Sequence, residues 1–528
     1  MSRIAVYDTT LRDGTQAAGV AISVEDKLTI ARRLDALGVD YVEGGWPGSN
    51  PRDLAFFERA QAVTWSHARV AAFGSTRRAG GRAEDDANLR LLLDAGTPVV
   101  TIFGKSWDLH VRAGLRTTLE ENLAMIRDSV AYLRAGGREV IYDAEHFFDG
   151  LRTNPEYALA TLRAAREGGA HTLVLCDTNG GSLPEAIRAG VEAAERGVGG
   201  PLGIHAHNDA ELAVANTLAA VSAGCTHVQG TVNGYGERCG NANLCSIVPA
   251  LRVKLGLDIL APGALERLTD LSRLVAELAN MTPDDYQPYV GANAFAHKGG
   301  VHVSAVMIDP VMYEHVSPDS VGNRRRVVVS DLSGRATVLH KADEVGLRLD
   351  RSRPEVQTVL EDLKRLEHEG YQFEGAEASF ELLLRRAVLG QRRRFEIRAF
   401  HVAVDHHGDT CTSRAIVRVS VNGEEAGASG EGNGPVHALD LALRAALERF
   451  HPELARVRLV DYKVRVIDAS AATAARVRVL MTSTDGRRTW GTIGVSENVV
   501  LASAQALTDS LEYALQAMAG QPAAGRAP

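Results

Sequence analysis

The chain has 528 residues, of which 45% are hydrophobic and 23% charged, with a formal net charge of −8. This length predicts two or more domains, and the composition is that of an ordinary globular protein. There is no long basic run, no apolar stretch of about 18 residues and no signal-peptide h-region, and the five cysteines are scattered and odd in number, so no nucleic-acid partner, no membrane span and a reducing cytoplasmic setting are expected.

From the N-terminus, one pattern recurs. A short apolar run gives way to polar turn residues and then to an amphipathic stretch. The runs are Ile4–Tyr7, Val39–Val42, Val70–Phe73, Val99–Phe103, Val140–Tyr142, Leu173–Cys176, Leu202–His205 and His227–Val232. Helix patterns such as Val24–Leu37, Thr117–Leu133, Pro155–Glu167 and Glu211–Ala223 lie between them. Eight such units in about 250 residues predict a (β/α)8 TIM barrel over 1–263. An open doubly wound sheet is the competitor, but no G-x-G-x-x-G follows the first strand.

Pro262-Gly263 marks a boundary. Residues 264–390 read as a helical linker and lid region, with polar loops around Pro283–Gly300 and Pro310–Arg326 and charged helices at Pro354–His368 and Gly375–Leu389. Over 391–528, Phe395–Val404 and Ala415–Val421 alternate like half-buried strands, and a helix follows Gly434-Pro435. Strands at Val457–Val466 and Val477–Met481 and a helix at Val500–Met518 repeat the order. Strand, strand, helix, twice, predicts a duplicated α+β domain, and Gln521–Pro528 reads as a frayed tail.

In a TIM barrel the chemistry sits at the C-terminal ends of the strands. Arg12 and Asp13 follow strand one, Glu43 ends strand two, Asp143 and Glu145 follow strand five, Asp177-Thr178-Asn179 ends strand six, and His205-Ala206-His207 ends strand seven. Residues two apart on a strand share a face, so both imidazoles can aim at one point. One carboxylate and two imidazoles with open positions make a site for a labile divalent cation such as Mn, Mg, Zn or Co. Taken singly, Asp13 also reads as a helix N-cap and a lone H-x-H as a chance occurrence. Their coincidence at the same barrel end favours the metal.

Five segments carry a resemblance: Asp8–Gln16, Glu43–Pro51, His205–Asp209, Gly234–Asn241 and His297–His302. Together they resemble the superfamily of 2-isopropylmalate, homocitrate and citramalate synthases, over nearly the whole chain. The Gly-Gly-Trp-Pro-Gly-Ser-Asn-Pro version after strand two looks like the citramalate branch. The resemblance implies a Claisen condensation of acetyl-CoA with pyruvate, then thioester hydrolysis, as an entry to isoleucine. An isopropylmalate-type synthase with a larger 2-oxo acid is the alternative.

It also implies roles. Asp13, His205 and His207 match metal ligands, with Asn241 beside the metal. Arg12 would stabilise charge on the keto oxygen, with Glu43 orienting it. Glu145 and Thr178 match substrate contacts. His302 matches the catalytic histidine and Tyr313 its helper, acting as a lid over a partner subunit in a homodimer. His297 is the rival to His302, as a structural or CoA-side contact. The bulky Phe73, Phe103 and Tyr142 are expected to fill the space left by a small substrate. The C-terminal domain is expected to dimerise and to bind isoleucine as a feedback effector.

Overall fold

A computed structural model describes residues 3–350 and 352–519, so the expected tail at Gln521–Pro528 lies outside the described residues. Eight parallel strands close into a barrel: β1 (Ala5–Asp8), β2 (Tyr41–Gly45), β3 (Arg69–Ser75), β4 (Val99–Lys105), β5 (Glu139–Glu145), β6 (Thr172–Asp177), β7 (Leu202–Ala206) and β8 (His227–Gly230). β1 pairs with β2 on one side and with β8 on the other, which closes the cylinder.

Around it run α1 (Val24–Leu37), α2 (Pro51–Ala60), α3 (Ala87–Asp94), α4 (Leu119–Ala135), α5 (Phe147–Thr153), α6 (Pro155–Gly168), α7 (Pro184–Gly197) and α8 (Ala213–Ser222). The starts of α1, α2, α3, α4 and α6 follow capping chemistry. Ser23 and Asp26 form a capping box at α1, and Asn50-Pro51 and Asn154-Pro155 supply cap and first-turn proline at α2 and α6. The main core lies between strands and helices. A smaller cluster of Tyr7, Ala71, Val99, Ile141, Val174 and Cys176 fills the barrel axis.

The chain divides into two compact units, 1–295 with 316–325, and 296–315 with 326–528. The first also contains α9 (Leu244–Pro249) and α10 (Leu268–Leu278). The second begins with a two-strand pair, β9 (Ala296–His297) and β10 (Arg326–Val327), and the helices α11 (Gly300–Ile308), α12 (Arg335–Glu344), α13 (Pro354–His368) and α14 (Glu377–Leu389). Then come β11 (Phe395–His407), β12 (Thr410–Val421), β13 (Glu424–Gly432) and α15 (Pro435–Leu447), followed by β14 (Arg458–Val466), β15 (Val477–Thr484), β16 (Thr489–Ser496) and α16 (Val499–Ala519).

The duplication is present, but each half has three antiparallel strands before its helix, not two. Of the third strands, Glu424–Gly432 hides because it is rich in small residues that score poorly as β formers, whereas Thr489–Ser496 carries β formers interrupted by Gly491 and Gly494. Their glycines have a packing purpose. A Cβ on Gly430 would sit 2.6 Å from the Ala442 nitrogen, and one on Gly494 would sit 1.9 Å from the Ala502 oxygen. Only glycine lets α15 and α16 lie this close to their sheets. The helices α12–α14 pack on the second half of the duplication: Val338, Val359, Phe380 and Leu384 share one core with Ile493 and Val495 of β16.

Candidate metal centre at the barrel mouth

Arg12, Asp13, Glu145, Thr178, His205 and His207 line one cavity of about 280 Å³ at the C-terminal ends of the strands. Asp13 Oδ2 lies 3.3 Å from His205 Nε2 and 3.9 Å from His207 Nε2. The two ring nitrogens are 3.3 Å apart. Ligand atoms about 2.0–2.2 Å from a common cation have separations of this size. Asp13 Oδ1 and Asn241 Oδ1 are buried with no hydrogen-bond partner among the described residues. Buried carboxylate and amide oxygens are rarely left so, and a cation would satisfy them. The donor set therefore fits a divalent ion.

Electrostatics act unequally on the three residues: burial opposes the charge on His205 but Asp13 outweighs it and raises the His205 pKa, while the other two are held in the forms that ligate. Burial opposes ionisation of Asp13, but Arg12, His205 and His207 outweigh it and hold its carboxyl well below the usual carboxylate range. Burial, helped by His205, lowers the His207 pKa to about 4. A neutral imidazole keeps a lone pair to offer. Asn241 is bridged to His207 through the backbone. The glycines before it make this approach possible: a Cβ on Gly236 would fall 2.0 Å from Asn241 Nδ2.

Arg12 is held on three sides. Its Nε donates to Glu43 Oε1 at 2.5 Å, its Nη1 lies 3.3 Å from Asp13 Oδ2, and its guanidinium carbon sits 3.7 Å above the centre of the Phe73 ring. Burial works against the charge, but Glu43 and Asp13 outweigh it and raise the Arg12 pKa. Glu43, fully buried, also accepts from Tyr7 at 2.7 Å and Thr9 at 2.9 Å. It orients Arg12. Glu145 pairs with Lys105. Thr178 Oγ1 accepts the His146 N–H at 2.9 Å, which leaves the Thr178 hydroxyl proton free to be donated elsewhere.

The apolar wall is aromatic. Phe73 and Phe103 stack at 5.6 Å, and Trp46 meets both edge-on at 5.9 Å. Tyr142 is a correction. It is fully buried and packs in the core between strands and helices, beside the hydroxyls of Ser106 and Thr161. Its neighbours Ile141 and Asp143 face the barrel interior and the cavity, so alternation turns Tyr142 outward. Trp46 takes the place expected of it.

His302 and Tyr313 belong to the second unit, where their rings stack at 4.2 Å. His297 is buried there, with Nε2 3.1 Å from Glu314 Oε1. This contact fits a structural role. Three residues of the cavity region escaped the sequence reading: Trp46 as a wall, Lys105 as the Glu145 partner, and Gln229, whose Oε1 lies 2.9 Å from His205 Nδ1. Gln229 was discoverable, because it stands opposite the inward-facing Tyr7 in the β1–β8 register.

A closed (β/α)8 barrel with a carboxylate–imidazole cluster and a fixed guanidinium at its mouth defines a class of metal-assisted carbonyl chemistry. The chain belongs to the HMGL-like family, whose match covers residues 3–275. Residues 289–371 match the homocitrate synthase post-HMGL domain-like family, and 374–515 match the LeuA allosteric (dimerisation) domain. The chain is 54% identical to an (R)-citramalate synthase of Geobacter sulfurreducens, covering 98% of both proteins. It is 53% identical to an (R)-citramalate synthase of Aquifex aeolicus, over 97% of this chain and 98% of that one. Identity to a probable 2-isopropylmalate synthase of Methanopyrus kandleri is 35%, over 96% and 97%. Among the described residues no helix is long and apolar enough to cross a membrane.

Proposed function

We propose that the chain is an (R)-citramalate synthase that condenses acetyl-CoA with pyruvate and hydrolyses the thioester. The convergence of Asp13, His205 and His207 beside Arg12, in a small aromatic-walled cavity, carries this reading. The near full-length similarity to citramalate synthases supports it over the isopropylmalate alternative.

Asp13, His205 and His207 would hold the divalent cation, with Asn241 beside it. When bound, the ion supplies Lewis acidity toward the keto group of a 2-oxo acid. Arg12, locked by Glu43 and Phe73, presents a fixed positive charge to the oxygen that becomes anionic as the new C–C bond forms. Thr178 donates its free hydroxyl proton to the pyruvate carboxylate, and Glu145 contacts the substrate. Trp46, Phe73 and Phe103 leave room for a methyl group and crowd out larger ones. His302, with Tyr313 stacked on it, takes a proton from the acetyl methyl group. The enolate carbon attacks C2 of pyruvate, and water then cleaves the thioester to release CoA.

In the same reading, residues 1–263 form the catalytic barrel, 264–390 form the linker and lid that supply His302 and Tyr313, and 391–528 dimerise and bind isoleucine. The match of that last segment to the LeuA allosteric (dimerisation) domain supports a homodimer under feedback control. The five free cysteines suit a cytoplasmic enzyme. A thiol-release assay with acetyl-CoA and a panel of 2-oxo acids tests the proposal. Pyruvate should give the highest kcat/KM, and preference for 2-oxoisovalerate or 2-oxoglutarate would overturn it.

A further inference from the structure

Two histidines face the cluster, yet their far sides differ. His207 Nδ1 is buried and has no hydrogen-bond partner among the described residues. His205 Nδ1 lies 2.9 Å from Gln229 Oε1, and the Gln229 amide nitrogen donates to Asp143 Oδ1 at 3.0 Å. Gln229 is itself completely buried. Its amide has one carbonyl and one NH2. The structure turns the NH2 toward Asp143, whose Oδ1 accepts from it. The carbonyl then faces His205 and can only accept from the ring. His205 therefore carries a proton on Nδ1, and Nε2, which lies 3.3 Å from Asp13 Oδ2, is the nitrogen left to ligate a cation.

We propose that Gln229 is a positioning residue that selects the His205 tautomer able to ligate a cation. The direction of the chain is set at its far end by Asp143, across the barrel on β5. β8 delivers Gln229 to this place because its partner in register, Tyr7, also points inward. A ligating imidazole needs its other nitrogen anchored, or the ring turns and half of its tautomers present N–H to the ion. The inference rests on the metal reading above, and the experiment separates the two.

Mn²⁺ binding to the full-length protein is measured by titration calorimetry, without substrate, for the wild type, His205→Ala, Gln229→Met and Gln229→Glu. The metal reading requires one equivalent of Mn²⁺ bound by the wild type and lost in His205→Ala. If that fails, the metal reading fails. If it holds, Gln229→Met should weaken Mn²⁺ binding about 10- to 100-fold. Gln229→Glu keeps an acceptor on His205 Nδ1 and should recover most of that loss. Equal affinity in Gln229→Met and wild type, or equal losses in Met and Glu variants, overturns the proposal while leaving the metal in place. Should the variants not fold, ¹⁵N-histidine NMR on the metal-free wild type decides. A proton on His205 Nδ1 supports the proposal, and a bare Nδ1 with the proton on Nε2 alone refutes it.

Discussion

Lys27 Nζ and Asp53 Oδ1 meet at 2.5 Å beneath the loop that carries Trp46, and the lysine side chain is completely buried. Lys27 also donates to the Gly44 carbonyl at 3.0 Å, while Asp53 Oδ2 accepts the Trp46 N–H at 3.0 Å. A helix residue of α1 thus holds the aromatic wall of the cavity in place through an ion pair. Removing one partner of a buried pair leaves the other charge without compensation. Lys27→Met should cost about 3–5 kcal/mol and raise KM for pyruvate more than it lowers kcat. Urea unfolding and steady-state kinetics check both. An unchanged midpoint would remove the claim.

On the proposed reading the aromatic wall selects the small substrate. Phe103→Ala should shift the ratio of kcat/KM for 2-oxoisovalerate over pyruvate upward by about 10- to 200-fold, the range for small apolar differences in a pocket. Tyr142→Ala is the control. Its side chain faces the helix layer, so it should lose about 3–5 kcal/mol of stability with the ratio unmoved. Competition assays with both 2-oxo acids distinguish the two outcomes.

Chelation should abolish turnover, and Mn²⁺, Co²⁺ or Zn²⁺ should restore it. Asp13→Asn keeps the shape of the side chain but loses the charge that answers the cation. It should lower kcat/KM by at least about a hundredfold at any fixed metal concentration. Full activity after exhaustive dialysis against chelator, with metal content verified by mass spectrometry, would contradict the proposed chemistry.

His227 lies at the other end of the barrel, packed between Tyr7 and Tyr41, and burial lowers its pKa from 6.5 to about 4. The unfolded chain takes up this proton below about pH 6.5, and the folded protein only below about 4. Folding therefore expels a proton in this window, and stability falls as pH drops through it. At about 1.4 kcal/mol per unit the loss reaches about 3 kcal/mol, and above pH 6.5 the group contributes no slope. In His227→Phe, the curve of unfolding free energy against pH should flatten between 6.5 and 4. A parallel curve would refute the assignment.

Isoleucine should lower turnover of the full chain. Cutting after Leu389 is not a clean way to test its site, because Phe380 and Leu384 bury against Ile493 and Val495. That truncation should expose the face and reduce basal activity, as seen by activity and dye binding. Isoleucine without effect on the intact enzyme would end the feedback claim.

The barrel was legible because apolar runs alternate with amphipathic stretches, several of them opened by a capping residue such as Ser23, Asn50 or Asn154. The metal cluster was legible because H-x-H on a strand puts two rings on one face. Lys27 was not, since a lysine on an amphipathic helix ordinarily marks a solvent face, and only the fold brings Asp53 and Gly44 to it. Tyr142 shows the opposite failure: its size suggested the pocket, yet alternation with Asp143 had already excluded it. The strands Glu424–Gly432 and Thr489–Ser496 were missed because helix packing, not strand propensity, selected their glycines.

Phe73 is both a boundary of the cavity and the seat on which the Arg12 guanidinium rests. Selectivity and rate are thus tied together at one ring. An engineer seeking to admit bulkier keto acids should trim Phe103 and spare Phe73, because shortening the latter widens the chamber only by letting its positive charge swing loose.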